Sequence, residues 1–250
     1  MCYSIRIPKA ISIVIPIYNK QDIASELISR IKYVTSSHFE NYEVIFVNDG
    51  STDNTLDVLK YEKKCDSHID IISYKTNRGK GYAVKRGIMK SRGDIIVWID
   101  GDLDISPDGI RDYVEQLQRY DLTIASKQHP GSRINIPMSR RFTSRIFNLM
   151  IRISFGLKFK DTQAGLKAGR ADIIKKIFNL ISIEGYAFDV ELLLIASILR
   201  LRIVEMPVDM CYAHSMKIKH MMRILFDAIK IWYRHIIKRY YQKQLDIVGE

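Results

Sequence analysis

The sequence predicts an α/β fold in which a mostly parallel sheet is wound with helices on both faces. Three observations predict it. Strand and helix patterns alternate through the first half of the chain in the order strand, helix, strand, helix, strand, helix, strand. The strand segments are near-continuous apolar, β-branched runs, the composition of strands buried on both faces. The fourth run ends abruptly in acids, and in open α/β sheets ligands sit beyond the carboxyl ends of the strands.

Residues 11–16 form the first expected strand, closed by Pro16, which cannot donate to a ladder. Tyr18, Asn19 and Lys20 make a loop, after which Ile23, Leu27, Ile28 and Ile31 recur at helical spacing. The second strand, residues 42–47, runs into Asn48, Asp49, Gly50, Ser51, Thr52 and Asp53, a turn-and-cap cluster opening a helix with Leu56 and Leu59. Asp49 therefore stands at the carboxyl end of a strand. The third strand, residues 69–74, precedes Asn77, Arg78, Gly79, Lys80 and Gly81, where free N–H groups and the helix dipole make a candidate phosphate cradle. No Ser or Thr completes a P-loop and Val84 replaces the third glycine of a dinucleotide fingerprint, so a solvated basic helix start is the simpler reading.

The fourth strand, residues 95–99, ends in Asp100, Gly101, Asp102, Leu103 and Asp104. Hard divalent cations take oxygen ligands and bridge to substrate phosphates, which alternate aspartates at a strand end can support; a solvated acidic turn is the alternative. Next come an expected helix at residues 110–120, a strand at 122–126 and a polar loop at 127–137. Residues 139–159 alternate basic and bulky apolar side chains, suiting a core helix or one lying on a membrane. Residues 160–167 read as a loop. Asp189 and Glu191 open an apolar helix ending near Leu199, where acids are ordinary dipole partners, and residues 202–210 read as the last strand.

From residue 216 to 244 Met221, Leu225, Ile229, Trp232, Ile236 and Tyr240 recur at three- and four-residue intervals among many Lys and Arg. Such a helix suits the plane of an anionic bilayer, or docks on the domain with a solvated basic face, and different strips can do each. The expected organisation is a catalytic domain at 1–215 and a basic amphipathic helix at 216–250.

The formal net charge of +11 implies an anionic partner. No nucleic-acid-binding motif is recognisable and such a role leaves the acidic motifs unexplained, so no nucleic-acid partner is expected. Three widely spaced cysteines and six histidines without a ligand pair argue against a disulfide framework and a zinc site. The longest apolar stretch, residues 190–199, is too short to span a bilayer, and residues 1–10 lack a cleavage pattern. A cytoplasmic or peripheral membrane location is expected.

As a set, residues 13–19, the Asn48 to Asp53 turn, Asn77 to Gly81 and the Asp100, Gly101, Asp102 motif resemble, in order, the inverting family 2 glycosyltransferases of GT-A fold. Residues 161–167 (Asp-Thr-Gln-Ala-Gly-Leu-Lys) and 187–192 (Ala-Phe-Asp-Val-Glu-Leu) are similar to the polyprenyl-phosphate branch, most of all to dolichyl-phosphate glucosyl- and mannosyltransferases. The resemblance covers about residues 11–231 and implies a Rossmann-like mostly parallel sheet.

It also implies that Pro16, Tyr18 and Asp49 line the base pocket, with Gly79, Lys80 and Gly81 against the nucleotide of a UDP- or GDP-hexose. Asp100 and Asp102, with Asp104 as a third ligand, would hold Mg²⁺ or Mn²⁺. Ser215 and Lys217 fall near the donor phosphates, and Arg133 and Arg140 meet the acceptor phosphate, that of a polyprenyl phosphate at a membrane surface. Lys20 departs from the family, standing where an acid usually follows Tyr-Asn, and no transmembrane helix is evident. The implied chemistry is displacement at the anomeric carbon with a nucleoside diphosphate leaving. A phosphate acceptor, with a second pKa of about 6, attacks without a base. A glycan or soluble hydroxyl acceptor, the alternative, needs one, for which Asp189 matches and Asp161 is a second candidate.

Overall fold

The computed structural model describes residues 10–135, 138–211, 218–237, 239–242 and 244. The strands are β1 (Ile11–Ile17), β2 (Tyr42–Asp49), β3 (Ile69–Tyr74), β4 (Ile95–Ile99), β5 (Leu122–Ala125), β6 (Arg133–Asn135), β7 (Leu166–Arg170), β8 (Ile203–Met206) and β9 (Asp209–Cys211). Seven form one sheet in the order β3-β2-β1-β4-β7-β5-β8, and β6 pairs with β9 in a small second sheet. All neighbours in the main sheet are parallel except β7, which runs antiparallel to both β4 and β5. The chain winds outward from β1 to β2 and β3, then returns to place β4 on the other side of β1. In open α/β sheets the carboxyl ends of the strands flanking such a reversal, here β1 and β4, are the usual ligand position.

The helices are α1 (Gln21–His38), α2 (Thr55–Cys65), α3 (Lys80–Lys90), α4 (Ile110–Gln116), α5 (Met138–Phe155), α6 (Ala171–Leu180), α7 (Phe188–Ile198) and α8 (Ile218–Trp232). Because strand side chains alternate, Ile13, Ile15, Val97 and Ile99 face α1 and α4, while Val14, Ile96 and Trp98 face α3, α6 and α7. Both faces are therefore apolar, which is why the strand sequences read as continuous runs. Each fully buried Ile or Val adds about 1.5–3 kcal/mol. Residues 188–196 of α7 are buried all round, so that helix shows no polar stripe. Ile224, Ala228 and Ile231 of α8, with Tyr241 beyond it, join the same core. The docked reading holds for this strip. On the outside, Phe226, Ile229 and Trp232 of α8 stay exposed beside Met150 and Ile153 of α5, and an apolar groove of about 450 Å³ runs between the two helices.

The structure departs from expectation in the second half. The segment expected as a loop at 160–167 delivers Leu166 and Lys167 into β7, because an antiparallel strand inserted between β4 and β5 satisfies both of their edges. Arg133–Asn135, inside the expected polar loop, forms β6. The single strand expected at 202–210 breaks into β8 and β9 at Pro207, which has no N–H for a ladder. Helix α4 stops at Gln116, four residues before the expected Tyr120, and α6 had no counterpart in the sequence reading.

Candidate active site

The loops after β1 and β2 are stitched together. Thr52 N–H donates to Asn19 Oδ1 at 2.8 Å, Asn19 N–H to Ser51 Oγ at 2.9 Å, and Lys20 N–H to Thr55 Oγ1 at 2.8 Å. Asn19 sits at φ +49°, a conformation that asparagine tolerates. Tyr18 is exposed at the mouth, and Pro16 presents its carbonyl to Gly101, where a Cβ would come within 2.6 Å of it.

Asp49, 4% exposed at the end of β2, holds the next loop. Its two carboxylate oxygens accept from the N–H groups of Arg78 at 2.8 Å and Gly79 at 2.9 Å. The carboxylate thereby fixes the start of α3. Gly79 adopts φ +104°, and a Cβ there would lie 2.7 Å from the Glu184 carbonyl. Gly81 is equally tight against the carbonyls of Ile183 and Gly185, and Tyr82 N–H donates to the Glu184 carbonyl at 3.0 Å. The two glycines are thus used for close packing of the 181–186 loop, and the first N–H groups of α3 are partly engaged by it.

At the end of β4, Lys80 Nζ lies 2.6 Å from Asp100 Oδ1 and 3.9 Å from Asp189 Oδ2. On its other side Asp189 Oδ1 accepts from Lys167 Nζ at 2.7 Å, and Lys167 also reaches the Ala164 carbonyl at 2.6 Å. The result is an alternating row, Asp100, Lys80, Asp189, Lys167. Burial opposes the charge on Lys80, but Asp100 and Asp189 outweigh it and hold its pKa above the ordinary lysine value. Asp102 behaves oppositely: burial first, then the neighbouring Asp100 and Asp104 charges, push its carboxyl up to about 6. Asp104 is buried, and its N–H donates to Asp102 Oδ1 at 3.1 Å. The Tyr186 hydroxyl has its pKa raised first by burial and further by the Asp100, Asp102 and Asp49 charges, with Lys80 opposing.

Four aspartates (Asp100, Asp102, Asp104, Asp189) face two lysines (Lys80, Lys167), leaving an excess of carboxylate. Carboxylate oxygens gathered at one strand end are the donor type that suits a hard divalent cation. Among the described residues no three acids, histidines or cysteines form a closed metal cage. A cation here would depend on one or two carboxylates together with substrate phosphates, as Mg²⁺ commonly does. The residues fit the expected group.

Asp161 is fully buried elsewhere: its oxygens accept from Lys127 N–H at 2.9 Å and Gln163 N–H at 3.0 Å, with Lys127 Nζ 3.3 Å away. Arg133 is exposed on β6. Arg140 lies in α5 with its side chain outside the described atoms, and Ser215 and Lys217 fall outside the described residues.

Four site residues escaped the sequence reading. Lys167 and Gly165 lie within the 161–167 motif, yet only the β4–β7 pairing sets Lys167 opposite Trp98 and Gly165 against Asp100, where a Cβ would meet Oδ2 at 2.0 Å. Tyr186 carried no signal beyond its place before Asp189. Glu191, expected as a dipole partner, is wholly buried and accepts hydrogen bonds from Ser182, Ile183 and Tyr241.

This geometry has counterparts. The sequence profile of Glycosyl transferase family 2 matches residues 12–178. The dolichyl-phosphate beta-glucosyltransferase of Dictyostelium discoideum is 30% identical over 251 residues, covering 91% of this chain and 75% of that protein. The Saccharomyces cerevisiae enzyme of the same name is 30% identical, covering 88% of this chain and 71% of its own length. Among solved structures, glucosyl-3-phosphoglycerate synthase from Mycobacterium tuberculosis, in complex with Mn²⁺, UDP and glucosyl-3-phosphoglycerate, superposes with a TM-score of 0.65. At 20% identity, over 90% of this chain and 79% of that one, it establishes a common GT-A fold. With the profile spanning the sheet from β1 through α6 and relatives matched over most of their length, the chain belongs to glycosyl transferase family 2.

Proposed function

We propose that the chain is a metal-dependent, inverting hexosyltransferase that moves glucose or mannose from a UDP- or GDP-sugar to a dolichyl-type polyprenyl phosphate on the cytoplasmic face of a membrane. The observation that carries the reading is the acidic cluster at the carboxyl end of β4 in a chain whose relatives, matched over most of their length, are named for glucosyl transfer to dolichyl phosphate.

In this reading Asp100 and Asp102, with Asp104 beside them, hold the cation, while Pro16, Tyr18 and the Asp49-fixed loop form the nucleotide pocket. A divalent cation bound there supplies charge neutralisation on the leaving diphosphate. Lys80, beside Asp100, adds a second positive charge where negative charge develops. Asp189 pairs with Lys167 and positions Lys80; Asp161 positions the loop after β5. Neither carboxylate is assigned proton removal, because an ionised phosphate acceptor brings none to remove. Arg133 and Arg140, with Ser215 and Lys217, are the cationic and polar groups assigned to acceptor and donor phosphates.

No helix among the described residues is long and apolar enough to cross a membrane. The exposed apolar strip of α5 and α8, bordered by Arg145, Arg223 and Lys230, is the surface we assign to peripheral membrane attachment.

The test is transfer of radiolabelled sugar from UDP-glucose, UDP-galactose and GDP-mannose to dolichyl phosphate in vesicles, with Mn²⁺ or with EDTA. Metal-dependent label in the organic-extractable lipid from one donor is expected. A folded chain that labels only water-soluble acceptors would shift the assignment to hydroxyl transfer.

A further inference from the structure

Glu191, in the first turn of α7, is a carboxylate with no exposed surface. A charge so placed requires donors, and the structure supplies four. Oε2 accepts the Ser182 N–H at 3.1 Å and the Ile183 N–H at 2.8 Å; Oε1 accepts the Ser182 hydroxyl at 2.8 Å and the Tyr241 hydroxyl at 2.6 Å. Three of these come from the loop before α7 and the fourth from the end of the chain. Arg234 meets the same Ser182 hydroxyl from the turn after α8. At Gly185 a Cβ would lie 3.0 Å from Asp227 Oδ2, so α8 itself bears on the loop.

The opposite side of this loop is the donor motif. The Glu184 carbonyl takes the Tyr82 N–H, its carboxylate pairs with Arg78 at 2.5 Å, and the Ile181 carbonyl takes Lys85 Nζ at 2.8 Å. Gly79 and Gly81 press against loop carbonyls on either side of Lys80. Just downstream, Tyr186 follows Gly185 in the same loop, and Asp189 lies 3.9 Å from Lys80.

We propose that Tyr241 and Glu191 are positioning residues for the donor site: through Ser182 and Ile183 they hold the 181–186 loop, and through it Lys80 and Tyr186, in the geometry that receives the nucleotide diphosphate. The C-terminal segment is then part of the donor-site wall as well as a surface helix. This rests on the donor-site reading above.

The test uses the full chain as wild type, Tyr241→Phe, Ser182→Ala and the control Tyr240→Phe, whose ring stacks edge-on to Tyr241 at 5.4 Å and packs against the same core, both kept by phenylalanine. Amide exchange across the chain and calorimetric affinity for UDP and for GDP, each with Mn²⁺, are measured. In Tyr241→Phe and Ser182→Ala, exchange at residues 182–186 accelerates about ten-fold and the bound nucleotide weakens about three-fold or more, while β1 and β4 exchange as in wild type. Tyr240→Phe matches wild type. Loop exchange unchanged in Tyr241→Phe, or acceleration spread evenly over β1 and β4 with unchanged nucleotide affinity, overturns the strut. A folded wild type that binds neither nucleotide overturns the donor-site reading itself, and the two failures are told apart by that arm.

Discussion

Lys167 Nζ donates to Asp189 Oδ1 at 2.7 Å, and neither side chain is more than 2% exposed. Removing one partner strands the other as a buried charge, which typically costs about 3–5 kcal/mol. Lys167→Met should therefore destabilise strongly, with Lys80, 3.9 Å from Asp189, compensating only in part. Lys167→Met combined with Asp189→Leu should recover most of the loss. Urea unfolding of the two single variants and the double closes the cycle; a Lys167→Met midpoint equal to wild type would refute a structural pair.

Lys80 occupies the approach to Asp100 Oδ1 at 2.6 Å. On the proposed metal reading it would compete with, and repel, a cation at that oxygen when no nucleotide is bound. Lys80→Met should bind Mn²⁺ alone more tightly than wild type while binding UDP or GDP more weakly in its presence. Electron paramagnetic resonance titration of free Mn²⁺ reads the first effect and calorimetry the second. Weaker Mn²⁺ binding without nucleotide would mean Lys80 organises the acids and does not block them.

Gly165 leaves room for the Asp100 carboxylate, since a Cβ would sit 2.0 Å from Oδ2. Gly165→Ala should push Asp100 aside and reduce the stabilisation gained from Mn²⁺ with a nucleotide diphosphate. If wild type binds the pair, that gain should be about 2.7 kcal/mol at a hundred times Kd. Thermal unfolding with and without ligand measures the difference, and an undiminished shift would show that Asp100 does not bear on the cation.

Stability should depend on pH through two opposed sets of carboxyls. At Glu43 burial raises the pKa, but hydrogen bonds from Ser12 and Arg92 and the Arg92 charge outweigh it, so the net value is lowered; at Asp121 the Arg202 hydrogen bond lowers it. Their contribution is complete above the ordinary carboxylate pKa and is lost as pH falls through the lowered values. Asp102, pushed up to about 6 from 3.8, holds its proton more tightly folded than unfolded, so the metal-free protein loses stability as pH rises across that window. Urea midpoints in EDTA should show both limbs. Asp102→Asn should abolish only the decline toward pH 6, and Glu43→Gln should cut the acid limb, costing about 1–3 kcal/mol at neutral pH.

The order of elements in the first half of the chain, β1 through β4, was legible because those strands are apolar on both faces and the helices between them carry 3.6-residue spacing. The acids at 100–104 were legible as a candidate site because a β-branched run that ends in alternating carboxylates places them at the carboxyl end of a strand. The antiparallel β7 was not: Leu166–Arg170 reads Leu-Lys-Ala-Gly-Arg, with no strand signature, and becomes a strand because β4 and β5 leave their inner edges to be paired.

By itself the sequence determined the alternating α/β architecture, the acidic strand end, the glycine-flanked Lys80 and the basic amphipathic C-terminus, each a property of neighbouring residues and local periodicity. Only the tertiary structure decided who neutralises whom. It set Lys167 on Asp189, Lys80 between Asp189 and Asp100, and Tyr241 on Glu191 across 50 residues of chain. The reason is physical: a buried charge must find a partner, and which partner lies within reach is fixed by strand register and helix docking, which no local pattern records.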